Sequence, residues 1–357
     1  MLRRHLGPVL QTTLVLAALL VGAPSQATPL TSLQMLQQFN LVTLGNATIN
    51  SHVDGRTYIG GNLSGNGAVF GMHPDTMPGS GYAALTVAGG VASGLQVTAG
   101  GATVLGSLSN SAINNGPTVV GGNASNSNFN GSGGSYVYGS KSGVNTNSGS
   151  LTKAKADAAL ATATSSNFAS ALTSTSQQLS HLASTGSWWT VSGGRVTFHA
   201  VAGADGIAVF DLTAVDSVLL AMSEFEFDLG SATAAILNSD IATASIKANF
   251  IGGGAQTYGS KLLWNFYDAS VLNLNSQFGG SVLATSATLT NSNNIEGGVF
   301  VSQLVQNGEI HQQAYAGSLP SASPPSTGVV PEPGSLPLVL SAGLALIAVA
   351  RRRANTL

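Results

Sequence analysis

Glu309 and His311 stand two residues apart in the stretch NGEIH. Residues spaced by two share one face of a strand, so the carboxylate and the imidazole are expected to point the same way. Such a pair can bind a metal, act as acid and base, or hydrogen-bond a sugar; it can also be a polar edge that closes the last turn of a repeating fold. Glu224, Glu226 and Asp228 alternate in SEFEFDLG in the same manner. Like charges on one strand face repel when dry, so that face is expected to be solvated, with ion binding as the other reading. Asp54 and Arg56, again two apart in HVDGRTY, suggest a local salt bridge rather than a site. Trp188, Trp189, Trp264, Phe266 and Tyr267 are bulky residues in a chain built mostly from small ones. Exposed rings stack on sugar faces; buried rings fill a core and carry about 150–250 Å² each, and burial is the expectation here. The piece LATSATLT offers hydroxyls for a flat, ice-binding type of array, although no regular T-x-T ladder repeats.

No stronger constellation is present. There is no G-x-S-x-G nucleophile elbow, no H-E-x-x-H, no P-loop, and no EF-hand or glycine-rich calcium nonapeptide. Glycines such as Gly60, Gly61 and Gly65 precede no helical pattern that could receive a phosphate. With no cysteine, disulfides, thiolate catalysis and cysteine-ligated metals are excluded. Between residues 28 and 330 there are seven Lys or Arg against thirteen Asp or Glu, and no basic cluster, which sets nucleic-acid binding aside. No catalytic, cofactor-binding or metal-ligating residue is assigned. Glu309 and His311 stand as the one candidate polar site.

The elements that must hold these residues are short. The chain of 357 residues contains 45 Gly, yet 43% of its residues are hydrophobic, enough for a core. Pieces such as Leu41–Leu44 and Thr57–Ile59 alternate with Gly and Asn turns. Short strands with Gly/Asn corners predict a mainly β chain, a right-handed β-solenoid or β-helix-like body, with a β-sandwich as the alternative. Gly pairs at 60–61, 89–90, 100–101 and 121–122 are irregularly spaced and give no clean repeat. Thr31 three before Gln34 predicts a capped short helix. Residues 151–184 lack glycine and place Phe168, Leu172, Leu179 and Leu182 on one helical face, predicting one long packed helix. Its many Thr and Ser residues make it dependent on packing against the β body.

Both ends of the chain read as addresses. Arg3 and Arg4, an apolar run over 9–21, and Ser25-Gln26-Ala27 predict a signal peptide, residues 1–27, cleaved after Ala27. The body would span 28–319 and a Ser/Pro-rich linker 320–330. The tail, 331–357, holds Pro331-Glu332-Pro333, an apolar stretch over 336–350, and Arg351, Arg352 and Arg353. This layout resembles the PEP-CTERM sorting signal of Gram-negative bacteria. The resemblance implies recognition by exosortase, transient membrane contact through the C-terminal helix, and arginines held on the cytoplasmic side. Signal peptidase would be the other processing partner.

Four stretches of the body resemble the choice-of-anchor A domain of bacterial surface proteins: FNLVTLGNATINSHVDGRTYIGGNLSG, SQQLSHLASTG, LLWNFYDASVLNLNSQFGGSVLATSATLTNSNNIEGGVFVSQL and NGEIHQQAYAG. The resemblance spans about residues 39–317 and implies surface display rather than a reaction. The chain is therefore expected outside the cytoplasmic membrane of a Gram-negative bacterium, at the cell surface or in the extracellular matrix. The expected role is structural or adhesive and non-enzymatic, with extracellular polysaccharide as the partner. The alternatives are a small-ligand or ice-binding module and a matrix glycan hydrolase, which would need two carboxylates about 5–10 Å apart in a cleft.

Overall fold

The computed structural model describes residues 28–320, apart from Ser93 and Ser148. In its N-terminal part, each turn of chain lays down up to three short strands, and stacking the turns builds three faces. Face A collects Leu41–Thr43, Thr57–Ile59, Leu85–Val87, Ala102–Val104, Thr118–Val120 and Ser135–Val137. Face B collects Ala47–Ile49, Leu63–Gly65, Leu108–Ser109, Ala124–Ser125 and Lys141–Ser142. Face C runs from His52–Val53 through Ala68–Phe70, Leu95–Val97, Ala112–Ile113 and Asn128–Phe129 to Asn145–Thr146. These ladders are parallel throughout, as a solenoid requires and an antiparallel sandwich does not.

The stacking order does not follow the chain. The first turn pairs in parallel with the last: Leu41 with Val299 on face A, Ala47 with Leu304 on face B, and Val53 with Ile310 on face C. The chain thus starts in the middle of the solenoid and winds outward to residues 135–146. It then returns over face A as helices and winds inward from the far end. The returning face A strands are Ile207–Asp211, Ala234–Ser239, Leu262–Phe266, Ser281–Asn291 and Val299–Gln306. The last two are long enough to turn the corner and serve face B as well. A further sheet, the closing sheet, of Trp188–Ser192, Arg195–His199, Glu224–Asp228 and Asn249–Phe250 walls this arm beside face A, and its first two strands, at the far end, are antiparallel.

The repeat is hidden by one insertion. On face A, Leu41 pairs with Thr57, Thr57 with Leu85, Leu85 with Ala102, Ala102 with Thr118 and Thr118 with Ser135. All of these steps are nearly equal in chain length except the second. That long step, from Thr57 to Leu85, contains the excursion around Pro74–Thr76. At the corner between faces A and B a glycine column runs through the turns, each N–H donating to the carbonyl below: Gly61 to Gly45, Gly89 to Gly61, Gly106 to Gly89, Gly122 to Gly106. A Cβ on Gly89 would sit 2.5 Å from the Gly61 carbonyl oxygen, so close backbone approach requires glycine here. The corner between faces B and C differs. Asn110 and Asn126 take left-handed φ of 54° and 47°, a conformation asparagine tolerates.

The two arms differ in girth, and their cores follow. In the N-terminal arm a regular turn is short, as the stacked pairs Thr48 with Ser64 and Asn128 with Asn145 show. Its narrow interior is filled by Ile49, Val53, Ile59, Val87, Val97, Val104 and Ile113. In the other arm a turn is much longer, running from Ile207 to Ala234 and from Ala235 to Leu262 before the strands pair again. That wider interior holds Trp264, fully buried, with Phe198, Phe225, Phe227, Phe266 and Phe278 in ring contact. The Trp264 indole N–H donates to the Gly279 carbonyl at 3.0 Å, so its polar atom is satisfied in the dry core.

Helices cover face A. Helix α1, Ser32–Gln38, has both bonds of the expected capping box, Gln34 N–H to Thr31 Oγ1 and Thr31 N–H to Gln34 Oε1. The helical span expected over 151–184 is present but bent into α2, Lys153–Ala163, and α3, Phe168–Ser180. Thr164 bends it by donating its hydroxyl back to the Leu160 and Ala161 carbonyls, and Asn167 caps α3 through the Ser170 N–H. Phe168, Leu172 and Leu179 pack with Met35, Leu36 and Phe39 against Val42, Ile236, Leu263, Leu283 and Phe300. A buried pair, Asn265 and Asn238, fastens α3 from below. Asn265 donates to the Ser176 carbonyl at 2.9 Å and Asn238 to the Leu179 carbonyl at 2.7 Å.

Asn40 locks the first turn to the last. Its amide donates to the carbonyls of Gly297 and His311 and accepts from the Gly55 N–H, all with the residue 4% exposed. Asn40→Ala leaves these backbone groups without partners and is expected to cost about 2–4 kcal/mol, read as a drop in urea midpoint with an unchanged m-value.

Candidate functional site

The pair singled out by spacing, Glu309 and His311, is brought together at 2.8 Å, His311 Nε2 to Glu309 Oε2. The structure adds a third member that sequence spacing did not suggest. His311 Nδ1 lies 2.8 Å from Oε1 of Glu296, whose side chain is only 2% exposed. Gln277 and Gln313 donate to the same buried carboxylate at 2.7 and 3.1 Å. His52 of the first turn reaches Glu309 at 3.6 Å, so the network spans the junction between the two arms. Burial alone would push the His311 imidazolium down. The hydrogen bonds to Glu309 and Glu296, with the charges of Glu296 and Asp54, outweigh it and raise the pKa above the ordinary histidine value. With a carboxylate oxygen at each ring nitrogen, the protonated ring donates on both sides. Among the described residues no group of three or more His, Cys, Asp or Glu is arranged to hold a metal ion.

Asp54 and Arg56 do not form the expected salt bridge. Arg56 is buried and donates to the carbonyls of Tyr82, Gln38 and Pro78 at 2.9–3.1 Å. Loss of water lowers its pKa to about 10. Asp54 turns instead to His73, 3.7 Å away, and to the Gln312 N–H. The end of α1 and the excursion before Leu85 offer the guanidinium three carbonyls in a dry site, and a strand neighbour at that spacing does not compete.

The aromatic residues divide. Trp264 and Phe266 are buried, Trp189 is partly buried, and Tyr267 is half-buried. Trp188, expected inside, is 50% exposed. It belongs to the strand at the end of the closing sheet, on the outward side, and its ring stacks on His199 at 4.1 Å with planes 19° apart. The same outward side carries Glu224, Glu226 and Asp228, solvated as their alternation implied and matched in register by Arg195, Thr197 and His199. Arg195 lies 2.9 Å from Glu224 and 3.6 Å from Glu226, while Thr197 donates to Glu226 at 2.9 Å.

A broader feature lies on face B, which no helix covers. Alternate residues of its strands point outward, and register aligns them into one column. Ser245, Asn273, Thr290 and Val305 continue across the junction into Thr48 and Ser64. Beyond Ala92, whose neighbour Val91 bridges Leu63 and Leu108, the column resumes as Ser109, Ser125 and Ser142. These ten positions, at roughly 4.8 Å per strand, make a flat strip about 45 Å long. Its side chains are small, mostly hydroxyl or amide, and uncharged. Thr48 and Ser64 share a hydrogen bond at 3.1 Å across neighbouring turns. Of the Thr-rich piece, Thr288 and Thr290 reach this face, while Thr285 is buried. The column escapes a linear reading because a full turn of chain separates each member from the next, and because both ends of the chain contribute to it.

Residues 32–312, from α1 to the last turn of face C, match the family described as Putative Ice-binding-like adhesive domain. The chain belongs to that family. The match takes in both arms of the solenoid and the helices between them, so the domain is the folded body itself. Membership in this family supports a surface adhesive role, extracellular or at the cell surface, and points away from enzymatic chemistry. No curated protein and no solved structure matches the chain. Ala27, Pro331, Glu332, Pro333, Arg351, Arg352 and Arg353 lie outside the described residues. Among the described residues no helix is long and apolar enough to cross a membrane.

The raised pKa of His311 gives the junction a pH dependence with a definite sign. Its contribution to stability is fully present below the unfolded value of about 6.5 and is lost as pH rises through the higher folded value. Melting temperature is therefore expected to fall as pH rises above about 6.5. His311→Ala should remove that slope and, by leaving Glu296 without its cation, cost roughly 2–4 kcal/mol near the acidic end of the range, measured by calorimetry across the pH series.

Proposed function

We propose that this chain is an exported adhesin that binds extracellular polysaccharide along face B. The observation that carries the reading is the uncovered column from Ser245 to Ser142, which presents hydroxyls and amides at strand spacing without a charged barrier. A flat, repetitive array suits an extended repetitive partner, because many weak contacts add along one chain without a deep pocket. Family membership supports the adhesive half of this reading. The double address supports the exported half: removal of the signal after Ala27, then sorting of a choice-of-anchor A-like body through Pro331-Glu332-Pro333 and the Arg351–Arg353 cluster by exosortase.

The hydrolase alternative fares less well on geometry. Glu296 and Glu309 are both engaged by His311, and Glu296 is too deeply buried to reach a glycosidic bond. The ice-binding alternative has a specific observation in its favour, the flatness of the same column, together with the family's description. Its weakness is side-chain variety: Val305, Ala92 and Asn273 interrupt the hydroxyls, so no single spacing repeats along the strip.

Co-sedimentation of the chain with exopolysaccharide from its own producer tests the reading. Saturable binding is expected, and Thr48→Tyr with Thr290→Tyr, which puts two bulky groups into the middle of the strip, should weaken it about tenfold or more at unchanged melting temperature. Absence of binding by the folded wild-type chain would remove polysaccharide as the partner. Arrest of ice recrystallisation, abolished by the same two substitutions, would move the assignment to ice.

A further inference from the structure

We propose that the closing sheet holds a discrete saccharide-binding subsite, with Trp188 as its stacking platform and a preference for pyranose chains that carry no negative charge. The proposal rests on the polysaccharide reading above but concerns a different surface, at one end of the solenoid rather than on face B.

Trp188 is costly to leave in water, and the inward side of its own sheet had room for rings. Val196, Phe198, Phe225 and Phe227 all turn into the core there. Trp188 nonetheless sits on the outward side. Its indole is not loose, because one face rests on the His199 imidazole across the antiparallel pair. His199 is held in turn by Asp228, 3.5 Å from Nδ1, and by Thr190, 3.4 Å from Nε2. Half of the Trp188 surface stays open to solvent on this braced ring. A rigid aromatic face of this kind offers an apolar plane at low entropic cost, and the C–H face of a pyranose is its natural complement.

The polar groups around the ring are those that grip a sugar's hydroxyls. Row by row, Trp188 pairs with His199 and His199 with Asp228, while Thr190 pairs with Thr197 and Thr197 with Glu226. Both carboxylates keep accessible surface, with side chains 65% exposed at Asp228 and 34% at Glu226. Carboxylates beside a ring platform accept pairs of hydroxyl hydrogen bonds strongly, since bonds to ionised groups are the stronger class. The charge count sets the selectivity. Three carboxylates, Glu224, Glu226 and Asp228, face one arginine, Arg195, so the patch is net negative. Uronate, sulfate and phosphate chains are repelled. An amine-bearing sugar gains attraction from Asp228 and from the indole face itself.

The test uses the intrinsic fluorescence of the full chain. Trp264 is fully buried, so a ligand at this sheet reports through Trp188 and its neighbour Trp189. Three probes are titrated at neutral pH: a glucosamine hexamer, its N-acetylated neutral form, and a uronate hexamer. The expected result is a saturable emission change with the first two, tighter for the amine form, and none with the uronate. Because Trp188→Ala and Trp188→Phe remove the reporter, variant affinities are read by titration calorimetry: Trp188→Ala should weaken binding about tenfold or more, Trp188→Phe should restore part of it, and Asp228→Asn should reduce the preference for the amine form. Equal melting temperatures exclude misfolding. No emission change in the wild type, unchanged affinity in Trp188→Ala, or equally tight uronate binding would overturn the subsite. If it falls while the face B substitutions still abolish polysaccharide co-sedimentation, the adhesin reading stands without it. If co-sedimentation fails while Trp188 still responds, the subsite survives alone.

Discussion

The parallel pairing of Leu41–Thr43 with Val299–Val301 is the contact on which the architecture depends. Strands from opposite ends of the chain meet there, with the whole intervening sequence looped between them. Closing so long a loop is slow and entropically unfavourable before the contact forms. The polar groups collected at that place answer the problem. Asn40 ties three backbone groups across it, and the Glu296–His311–Glu309–His52 chain crosses it on face C. The Asn40 bonds to Gly297 and His311 and the His52–Glu309 contact form only when both ends of the chain are in register, so they favour one alignment over its slipped neighbours.

The two arms solve the same packing problem at different scales. The short turns of the N-terminal arm enclose mostly aliphatic side chains, with Phe70 and Phe129 as single rings among them, and their glycine corner lets successive backbones touch. The longer turns of the other arm enclose more, and Trp264 with its ring of phenylalanines fills the extra volume. The narrow arm is held mainly by backbone ladders and the wide arm by aromatic burial, at about 1.5–3 kcal/mol for each large side chain removed from water. The helices complete face A because its outward residues, Val42, Ile236, Leu263, Leu283 and Phe300, are too apolar to face solvent.

Much of this was legible in the residues. The capping box at Thr31, the solenoid texture and the helical face of Phe168, Leu172 and Leu179 need only local rules of spacing and propensity. The stacking order was not legible, because nothing in Leu41–Thr43 marks Val299–Val301 rather than a nearer strand as its neighbour. The repeat was obscured by the excursion between Ile59 and Leu85. Arg56 misled because its closeness in sequence points to Asp54, whereas three carbonyls contributed by distant backbone decide its place. Trp188 misled for the opposite reason: size argues for burial, and only the register with His199 puts it outside. Glu309 and His311 were found by alternation, but Glu296 joins them through neighbouring turns and leaves no trace in linear spacing.

Leu30 packs into the helix-covered side, against the cluster that includes Met35, Phe39 and Val42 of the central turn. The last described segment instead leaves the central turn and runs along the wide arm, where the Ala316 N–H donates to the Ser260 carbonyl and Gly317 lies against Ala234. A pull at Leu30 therefore enters the body at mid-length, whereas one at Leu319 enters nearer the far end of the wide arm. The two strains cross the body by different routes, and the wide arm between them is the part that a pull from both sides would stretch.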